Sequence, residues 1–498
     1  MSATDILIII GLYFLVLISI SFLTGKEDSN DEFFRANRSA PWYLVAFGMI
    51  GASLSGITFI SVPGWVATKN FAYLQMVMGF VVGYFIIAQV LLPLYYRMNL
   101  TSIYQYLEER FGTITHKTGS VLFLIARIAG ASLRLFLVAG VMQLLIFDEL
   151  GVPFALTVTI TILFIWVYTF RGGIKTIIWT DTLQTAFMLI ALVISMYLIA
   201  TNLNFSVGGL IDAVKESSYS KIFFFEDASK GNYFWKQFLA GVFIAIAMTG
   251  LDQGMMQKNL TVKNLADSQK NMRWFSIALL FVNLLFLSLG VLLLMYAQHN
   301  NINLAELDIK GDQIFPYLAV KTDMGMAAAV FFVLGLIAAA YSSADSSMTA
   351  ITTSFSLDIL QIDKKYSPEK QKQIRKKVHI GISIFFILIL IIYNQILTER
   401  SIINSIFMYA GYTYGPLLGL FIFGLFTKIK VKDKLVPFVV ILSPILTYII
   451  SQLPKWLESD YKFSFELLLV NASLTIIGLL LIRKNEEWRM KNNKYKKK

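Results

Sequence analysis

Apolar runs of about 20 residues recur along the whole chain, and this repetition constrains the fold more than any other feature. Each run is long enough to cross a hydrocarbon layer of about 30 Å as a helix. Because lipid offers no partner for backbone polar groups, a spanning segment must satisfy them internally. The sequence therefore predicts an all-α membrane protein. The thirteen predicted spans are 3–24, 43–68, 71–96, 117–147, 152–170, 176–201, 234–258, 273–297, 327–357, 377–396, 401–427, 434–453 and 464–482.

The basic residues indicate how these spans are oriented. An odd number of spans places the two termini on opposite sides, and alternate loops on one side carry far more Lys and Arg. That side includes the loops 364–377 and 428–434 and the tail 483–498. Since cytoplasmic loops are enriched in Lys and Arg, we predict an inner-membrane protein with its N-terminus outside and its C-terminus in the cytoplasm. Nucleic-acid binding is not expected, because no folded basic domain accompanies the tail.

Composition excludes several classes of protein. The chain has no Cys, so it offers no disulfide and no thiolate metal site. Its three His lie near predicted helix ends and form no ligand cluster. It lacks the G-x-x-x-x-G-K-[ST] loop that an ATP-driven pump would need. No loop is long enough to hold a catalytic or sensory domain. We therefore expect a secondary transporter and not an enzyme; a transporter-like membrane sensor and an intramembrane enzyme are the alternatives.

Three spans have the composition of interrupted helices: GMIGASLSGITFISVPG in 43–68, AMTGLDQGMMQ in 234–258 and YAGYTYGPLLG in 401–427. Interruptions at corresponding positions of two five-helix halves indicate a binding site near the bilayer midplane. For a single glycine, tight helix packing is the better explanation, whereas the paired pattern favours a binding site. The predicted division is an extra helix and first cytoplasmic loop (1–42), a first inverted repeat (43–201), an external loop (202–233), a second inverted repeat (234–427) and two C-terminal helices with a basic cytoplasmic tail (428–498).

The stretch AAAYSSADSS places hydroxyls and a carboxylate inside a predicted span. Ala339, Ser342, Ser343 and Ser346 share one helix face, and Asp345 lies one turn from Ser342. An ionised carboxylate at membrane depth is costly and normally has a cation or a donor as its partner. Oxygen ligands of this kind suit a small hard cation, so the stretch is a candidate ion site.

Five motifs, in this order, resemble those of one family. DEFFRANRSAPWYLVAFGMIGASLSGITFISVPG, TSIYQYLEERFG, FRGGIKTIIWTDTLQ, GLDQGMMQKNLTVKNLADSQK and AAAYSSADSS are similar to motifs of the sodium:solute symporter family, whose members carry sugars, proline, pantothenate or sialic acid. The resemblance covers nearly the whole chain. It implies a LeuT-like core of five plus five helices, with the first and sixth core helices broken. It also implies sodium-coupled uptake of a small organic solute.

The resemblance implies one sodium site between the first and eighth core helices. Its ligands would be the backbone carbonyls of Gly51, Leu54 and Ala339 and the hydroxyls of Ser342 and Ser343.

Some relatives have a further sodium site, which here would consist of Asp181, Ser342 and Ser346. Asp345 stands where those relatives have serine; its charge could strengthen the cation site, or it could pair with a nearby arginine. For Asp181 the alternative is an interfacial aspartate bonded to neighbouring backbone.

Two arginines lie inside one span, seven residues apart and so on one helix face. An arginine at this depth, such as Arg127 or Arg134, faces either an acid of the protein or an anionic substrate. A fixed ion pair with Asp181, Asp252 or Asp345 is therefore the alternative to substrate binding.

The resemblance favours an anionic cargo such as a sialic acid. Relatives that carry sialic acid have an equivalent arginine on the substrate carboxylate, and their hydroxyl contacts are similar to Ser53, Ser55 and Thr58. Where sugar transporters have a gating tyrosine before a Trp-Gly pair, this chain has Met248-Thr249-Gly250, and this difference disfavours a neutral hexose. We include Thr249 as a substrate contact. Gln75 could offer an amide to a polyol or could be a packing residue. A neutral or zwitterionic solute is the alternative cargo.

Overall fold

A computed structural model of the chain describes residues 3–25, 29–143, 147–170, 172–396, 402–461, 463 and 465–484. Over these ranges the chain forms helices and no β-strand, as expected where backbone groups must be satisfied within hydrocarbon. Most of the predicted basic tail lies outside the described residues.

Ten helices lie in the first half of the chain. They are α1 Ala3–Thr24, α2 Asn30–Arg35, α3 Trp42–Lys69, α4 Tyr73–Ile86, α5 Leu92–Arg97, α6 Gln105–Arg110, α7 Thr113–Met142, α8 Phe154–Thr169, α9 Ile174–Asn202 and α10 Val207–Glu216. A π-helical turn joins α4 to α5, so that the two form one continuous span.

Ten further helices follow. They are α11 Phe234–Ala245, α12 Gln253–Leu260, α13 Leu265–His299, α14 Ile314–Lys321, α15 Met326–Ser354, α16 Ile362–Lys365, α17 Pro368–Ile396, α18 Ile402–Phe426, α19 Val436–Trp456 and α20 Leu467–Leu481. π-Helical turns extend α11 to Gly250 and α15 to Ile359.

The described helices confirm a protein with many membrane spans. Seven of them are long and apolar enough to cross a membrane, and two bent pairs raise this number to nine. Four shorter apolar helices in the described ranges could complete further spans. The total of thirteen spans stays a prediction.

Two of the three predicted interruptions are confirmed. At Ser55, φ is 49° and ψ is 168°, and the two arms of α3 meet at 56°. Positive φ is uncommon outside glycine, so the surrounding packing must hold this residue in place. The second interruption separates the π-helical end of α11 from α12, with a bend of 67°.

The prediction of a third interruption is wrong, because α18 is one continuous helix that contains Pro416. Proline has no N–H, so the carbonyl four residues earlier, that of Tyr412, loses its usual helical partner. The side-chain amide of Asn471 in α20 donates to this carbonyl over 3.0 Å, and also to that of Gly411. A neighbouring helix thus satisfies the carbonyl without any break in α18.

The polar stretch of α15 lies at the centre of the bundle. Every residue of this helix from Gly335 to Ser354 is buried. Around it pack α3, α7 and α9, and α3 also packs against α9 and α13. The hydroxyl-rich part of α15 therefore faces protein and not lipid. The division of the chain into two inverted repeats stays a prediction.

Candidate functional site

A cavity of about 100 Å³ lies beside the break of α3. Its walls come from both broken spans and from α4, α7 and α13. Of the six predicted substrate residues, five line it; they are Ser53, Ser55, Thr58, Arg134 and Thr249. The structure thus brings together residues that are far apart in the sequence.

Gln75 does not line this cavity. Its amide donates to the backbone carbonyls of Asn232, over 3.0 Å, and Ala72, over 3.2 Å. Its carbonyl oxygen accepts the backbone N–H of Phe224 over 3.1 Å. Gln75 is completely buried and ties the external loop to the start of α4, so the prediction of a substrate contact is corrected to a structural role.

Sequence reasoning missed the aromatic wall of the cavity. Tyr73, Phe80 and Tyr84 of α4 line it together with the hydroxyls of α3. Their spacing of seven and four residues places them on one helix face. That signal was present in the sequence, but it is equally typical of aromatic residues that pack against a neighbouring helix.

Arg127 has a fixed partner. Its Nη1 lies 3.2 Å from Oδ2 of Asp252, which is completely buried. The hydroxyl of Tyr414 in α18 donates to the same oxygen over 2.8 Å. Oδ1 of Asp252 accepts the backbone N–H of Met255 and so caps the start of α12. The ion-pair alternative therefore holds for Arg127.

Arg134 is different, although it lies on the same helix and lines the same cavity. Among the described residues it makes no ion pair, and its buried Nε has no hydrogen-bond partner. Because the charge of Arg127 is balanced by Asp252, Arg134 gives the cavity an uncompensated positive charge.

The break of α3 lies beside two of the backbone carbonyls that are predicted to bind sodium. A helix that stops leaves its last carbonyls without intrahelical donors. In the described part of the structure, no side chain donates to the carbonyl of Gly51 or Leu54. The N–H of Gly51 donates to the Thr185 hydroxyl over 3.1 Å, which ties this arm to α9.

The polar face of α15 lies close to this break. A Cβ added to Gly56 would lie 3.7 Å from the backbone nitrogen of Ala340, next to Ala339. The Ser343 hydroxyl is buried and has no hydrogen-bond partner in the described ranges. The Ser342 hydroxyl donates a hydrogen bond of 2.5 Å to Asp181. The lone pairs of this hydroxyl oxygen remain free to bind a cation. The break of α3 and the polar face of α15, which carry the residues predicted for the first sodium site, thus pack against each other.

The second break has its freed carbonyls satisfied. The hydroxyl of Tyr95 donates to the carbonyl of Gly250 over 2.8 Å, and that of Tyr104 donates to the carbonyl of Leu251 over 2.7 Å. With Asp252 capping α12, the polar backbone groups at this break have partners within the protein.

The residues predicted for a second sodium site have partners that the sequence analysis missed. Asp181 forms an ion pair of 2.6 Å with Lys258, and both are buried. Asp345 accepts a hydrogen bond from the Tyr168 hydroxyl over 2.9 Å and another from the Ser346 hydroxyl over 3.2 Å. In the described part of the chain Asp345 has no arginine partner, so that expectation is corrected. Lys258 is the last residue of the predicted span 234–258, and no role for it was predicted from the sequence.

Comparisons with known proteins give a consistent relationship. The sequence model of the sodium:solute symporter family matches residues 33–433. The sodium/sialic acid symporter NanT of Aliivibrio fischeri is 24% identical over 476 residues, covering 92% of this chain and 89% of that protein. The sodium/sialic acid symporter SiaT of Proteus mirabilis is 24% identical over 489 residues, covering 95% and 92%.

One solved structure shares the architecture along almost its entire length. The substrate-bound, outward-open structure of a Na⁺-coupled sialic acid symporter superimposes with a TM-score of 0.81 at 21% identity. The match covers 96% of this chain and 98% of the other. The all-α fold with its LeuT-like core is therefore confirmed.

The ion pair between Arg127 and Asp252 yields a prediction about stability. Removing one partner of a buried pair leaves an unpaired charge, at a cost of about 3–5 kcal/mol. Arg127→Leu should therefore lower the free energy of unfolding by about that amount. Arg127→Leu combined with Asp252→Asn should recover most of the loss, since asparagine removes the charge and can still cap α12. Denaturant unfolding of the purified protein in detergent measures both.

Lys221→Ala is the matched control, because it breaks an ion pair with Glu226 in which both side chains are exposed to solvent. This change should cost less than about 1 kcal/mol. Equal destabilisation of the single and double variants at the buried pair would contradict the interpretation.

Proposed function

Since the chain belongs to the sodium:solute symporter family, we propose that it takes up a small carboxylated solute such as a sialic acid. Membership makes the protein a sodium-coupled membrane transporter and not an enzyme. The two relatives described as sialic acid symporters support this cargo. What the proposal adds to membership is the class of solute and the residues that bind it.

The observation that carries the proposal is the unpaired charge of Arg134. A cation that faces a partly dry cavity without a counter-ion favours an anion as its ligand. Guanidinium groups bind carboxylates through two parallel hydrogen bonds, which give geometric specificity as well as affinity. The carboxylate of the solute would therefore be held on α7, at one end of the cavity.

The rest of the cavity suits a polyhydroxylated solute. Ser53, Ser55 and Thr58 supply hydroxyls from α3, and Thr249 supplies one from the other broken span. Each hydroxyl can donate one hydrogen bond and accept two, so the set can bind sugar hydroxyls of either orientation. Tyr84 and its aromatic neighbours on α4 give an apolar wall against which a ring can lie.

We assign the coupling ion to the break of α3. The carbonyls of Gly51, Leu54 and Ala339 and the hydroxyls of Ser342 and Ser343 would be the five oxygen ligands of Na⁺. Na⁺ bound there would join α3 to α15. Because Ser53 and Ser55 lie on the same short segment, ion binding would also order the substrate contacts, which is a direct physical route to coupling.

We also propose the orientation and the repeats that the sequence predicts. The N-terminus would lie outside and the C-terminus in the cytoplasm of a cell whose inner membrane holds the protein. The segments 43–201 and 234–427 would be the two inverted repeats, each opening with a broken span.

The first prediction from the proposed function concerns the cargo. Arg134→Gln should weaken binding of N-acetylneuraminic acid by about 30-fold or more, because a desolvated charge-assisted contact is worth roughly 2–5 kcal/mol. Arg134→Lys should restore only part of this loss, since an ammonium cannot reproduce the planar fork of the guanidinium. Competition of labelled uptake into proteoliposomes by the acid and by its uncharged amide measures the effect.

Met248→Leu is the control, because it changes another residue of the cavity wall without changing charge. Its preference for the acid should match that of the wild type. Equal affinity of the wild type for acid and amide would contradict an anionic cargo and favour a neutral or zwitterionic solute. Binding without any sodium-driven uptake would instead favour a membrane sensor.

The second prediction concerns the first sodium site. Loss of one hydroxyl ligand to a cation should cost about 1.5–3 kcal/mol, so Ser343→Ala should raise the Na⁺ concentration for half-maximal uptake by about tenfold or more. Ser347→Ala is the matched control one turn along α15, where the hydroxyl donates to the backbone carbonyl of Ser343 over 2.6 Å. An unchanged sodium dependence in Ser343→Ala would remove this ligand from the proposed site.

The third prediction concerns orientation, and the chain suits it because it has no cysteine of its own. A cysteine at exposed Ala228, in the proposed external loop, should react with a membrane-impermeant maleimide in intact cells. A cysteine at exposed Ser367, in the proposed cytoplasmic loop, should react only after the membrane is permeabilised. The reverse pattern would invert the proposed topology.

A further inference from the structure

Lys258 is a buried cation in the middle of the transporter. The residue is 1% exposed and lies on α12, the second arm of the second broken span. Its ammonium nitrogen lies 2.6 Å from Oδ2 of Asp181 on α9. Taking a lysine charge out of water is costly unless an opposite charge compensates it, so this pair is a fixed feature of the described state.

The other oxygen of Asp181 is also engaged. Oδ1 accepts the hydrogen bond of Ser342, so the carboxylate joins α9, α12 and α15 at one point. Asp181 and Ser342 are two of the residues that the resemblance implies for a second Na⁺. The structure thus places a protein cation against the carboxylate that would attract that ion.

The remaining predicted ligands are occupied as well. The Ser346 hydroxyl donates to Asp345, and the Tyr168 hydroxyl donates to the other oxygen of the same carboxylate. A second Na⁺ bound here would have to displace the ammonium from Asp181 and break the contact between Ser346 and Asp345. An ammonium is a compact monovalent cation, so it can neutralise the carboxylate as Na⁺ would.

We propose that Lys258 takes the place of a second Na⁺, so that this symporter binds one Na⁺ per transport cycle. The inference rests on the proposed function in one respect, namely that the first ion binds at the break of α3. A tethered cation differs from Na⁺ because it neutralises Asp181 without being released to either side of the membrane. Lys258 would therefore determine the stoichiometry of coupling.

The test counts bound ions and needs no cargo. Equilibrium binding of ²²Na⁺ to purified protein in detergent, at saturating Na⁺, gives the number of ions per chain. We expect about one in the wild type. We expect about two in Lys258→Gln, where Asp181 and Ser342 become free to bind Na⁺.

Three further variants make the assignment specific. Lys258→Gln combined with Asp181→Asn should return to about one ion, because the attracting carboxylate is gone. Lys258→Arg should stay at about one, since it keeps a cation at the site. Lys175→Gln is the matched control. Lys175 lies on α9, as Asp181 does, and forms an ion pair of 2.6 Å with Glu32. It should bind the wild-type number.

Each outcome decides the inference. Two ions bound by the wild type would overturn it without any variant, so the test stands even if Lys258→Gln does not fold. One ion bound by folded Lys258→Gln would also overturn it. An increase of one ion in Lys258→Gln that is lost in the double variant would support it. Absence of Na⁺ binding in the wild type that Ser343→Ala leaves unchanged would instead count against the proposed first site.

Discussion

Interrupting a helix inside hydrocarbon frees backbone groups that lipid cannot satisfy, and the rest of the site depends on how each interruption meets this constraint. At the second break, the carbonyls of Gly250 and Leu251 accept hydrogen bonds from tyrosine hydroxyls, and Asp252 caps the helix that follows. At the first break, no side chain of the described residues donates to the carbonyls of Gly51 and Leu54. Side-chain donors therefore satisfy the carbonyls of the second break, and the described residues supply no such donors at the first.

The described residues of the bundle include the cations Arg127, Arg134 and Lys258, and their surroundings give them different roles. Arg127 and Lys258 each have a buried aspartate within ion-pair distance, so their charges are balanced inside the protein. Arg134 has no such acid, although it lies only two helical turns from Arg127. Since an unpaired charge at this depth is costly, Arg134 is the one of these three cations whose charge an anionic substrate would compensate. The position of the acids thus decides which cation can take part in binding.

The sequence predicted the parts of the site that composition marks, and missed those that depend on partners. Glycines and small hydroxyl residues around Ser55 predicted the break of α3, and α15 was recognised by its polar run. Pro416 led to the wrong prediction of a break in α18, because composition does not show that Asn471 of another helix satisfies the carbonyl that the proline frees. The prediction that Gln75 contacts substrate was wrong for the same reason, since its hydrogen-bond partners lie in a distant loop. The role of Lys258 required knowing that α12 turns back towards Asp181 after a bend of 67°.

Stoichiometry decides which energy source drives the cycle. One Na⁺ with one monoanion carries no net charge, so the membrane potential does not affect the equilibrium, and a tenfold Na⁺ gradient supports about tenfold accumulation, or about 1.4 kcal/mol. A second Na⁺ would add its own gradient and about 2.3 kcal/mol per 100 mV of potential. Under the proposed stoichiometry, a lysine in place of that ion would lower the accumulation that the transporter can reach. Uptake of a monoanion would then be independent of membrane potential, and its direction would follow the sodium and solute gradients alone.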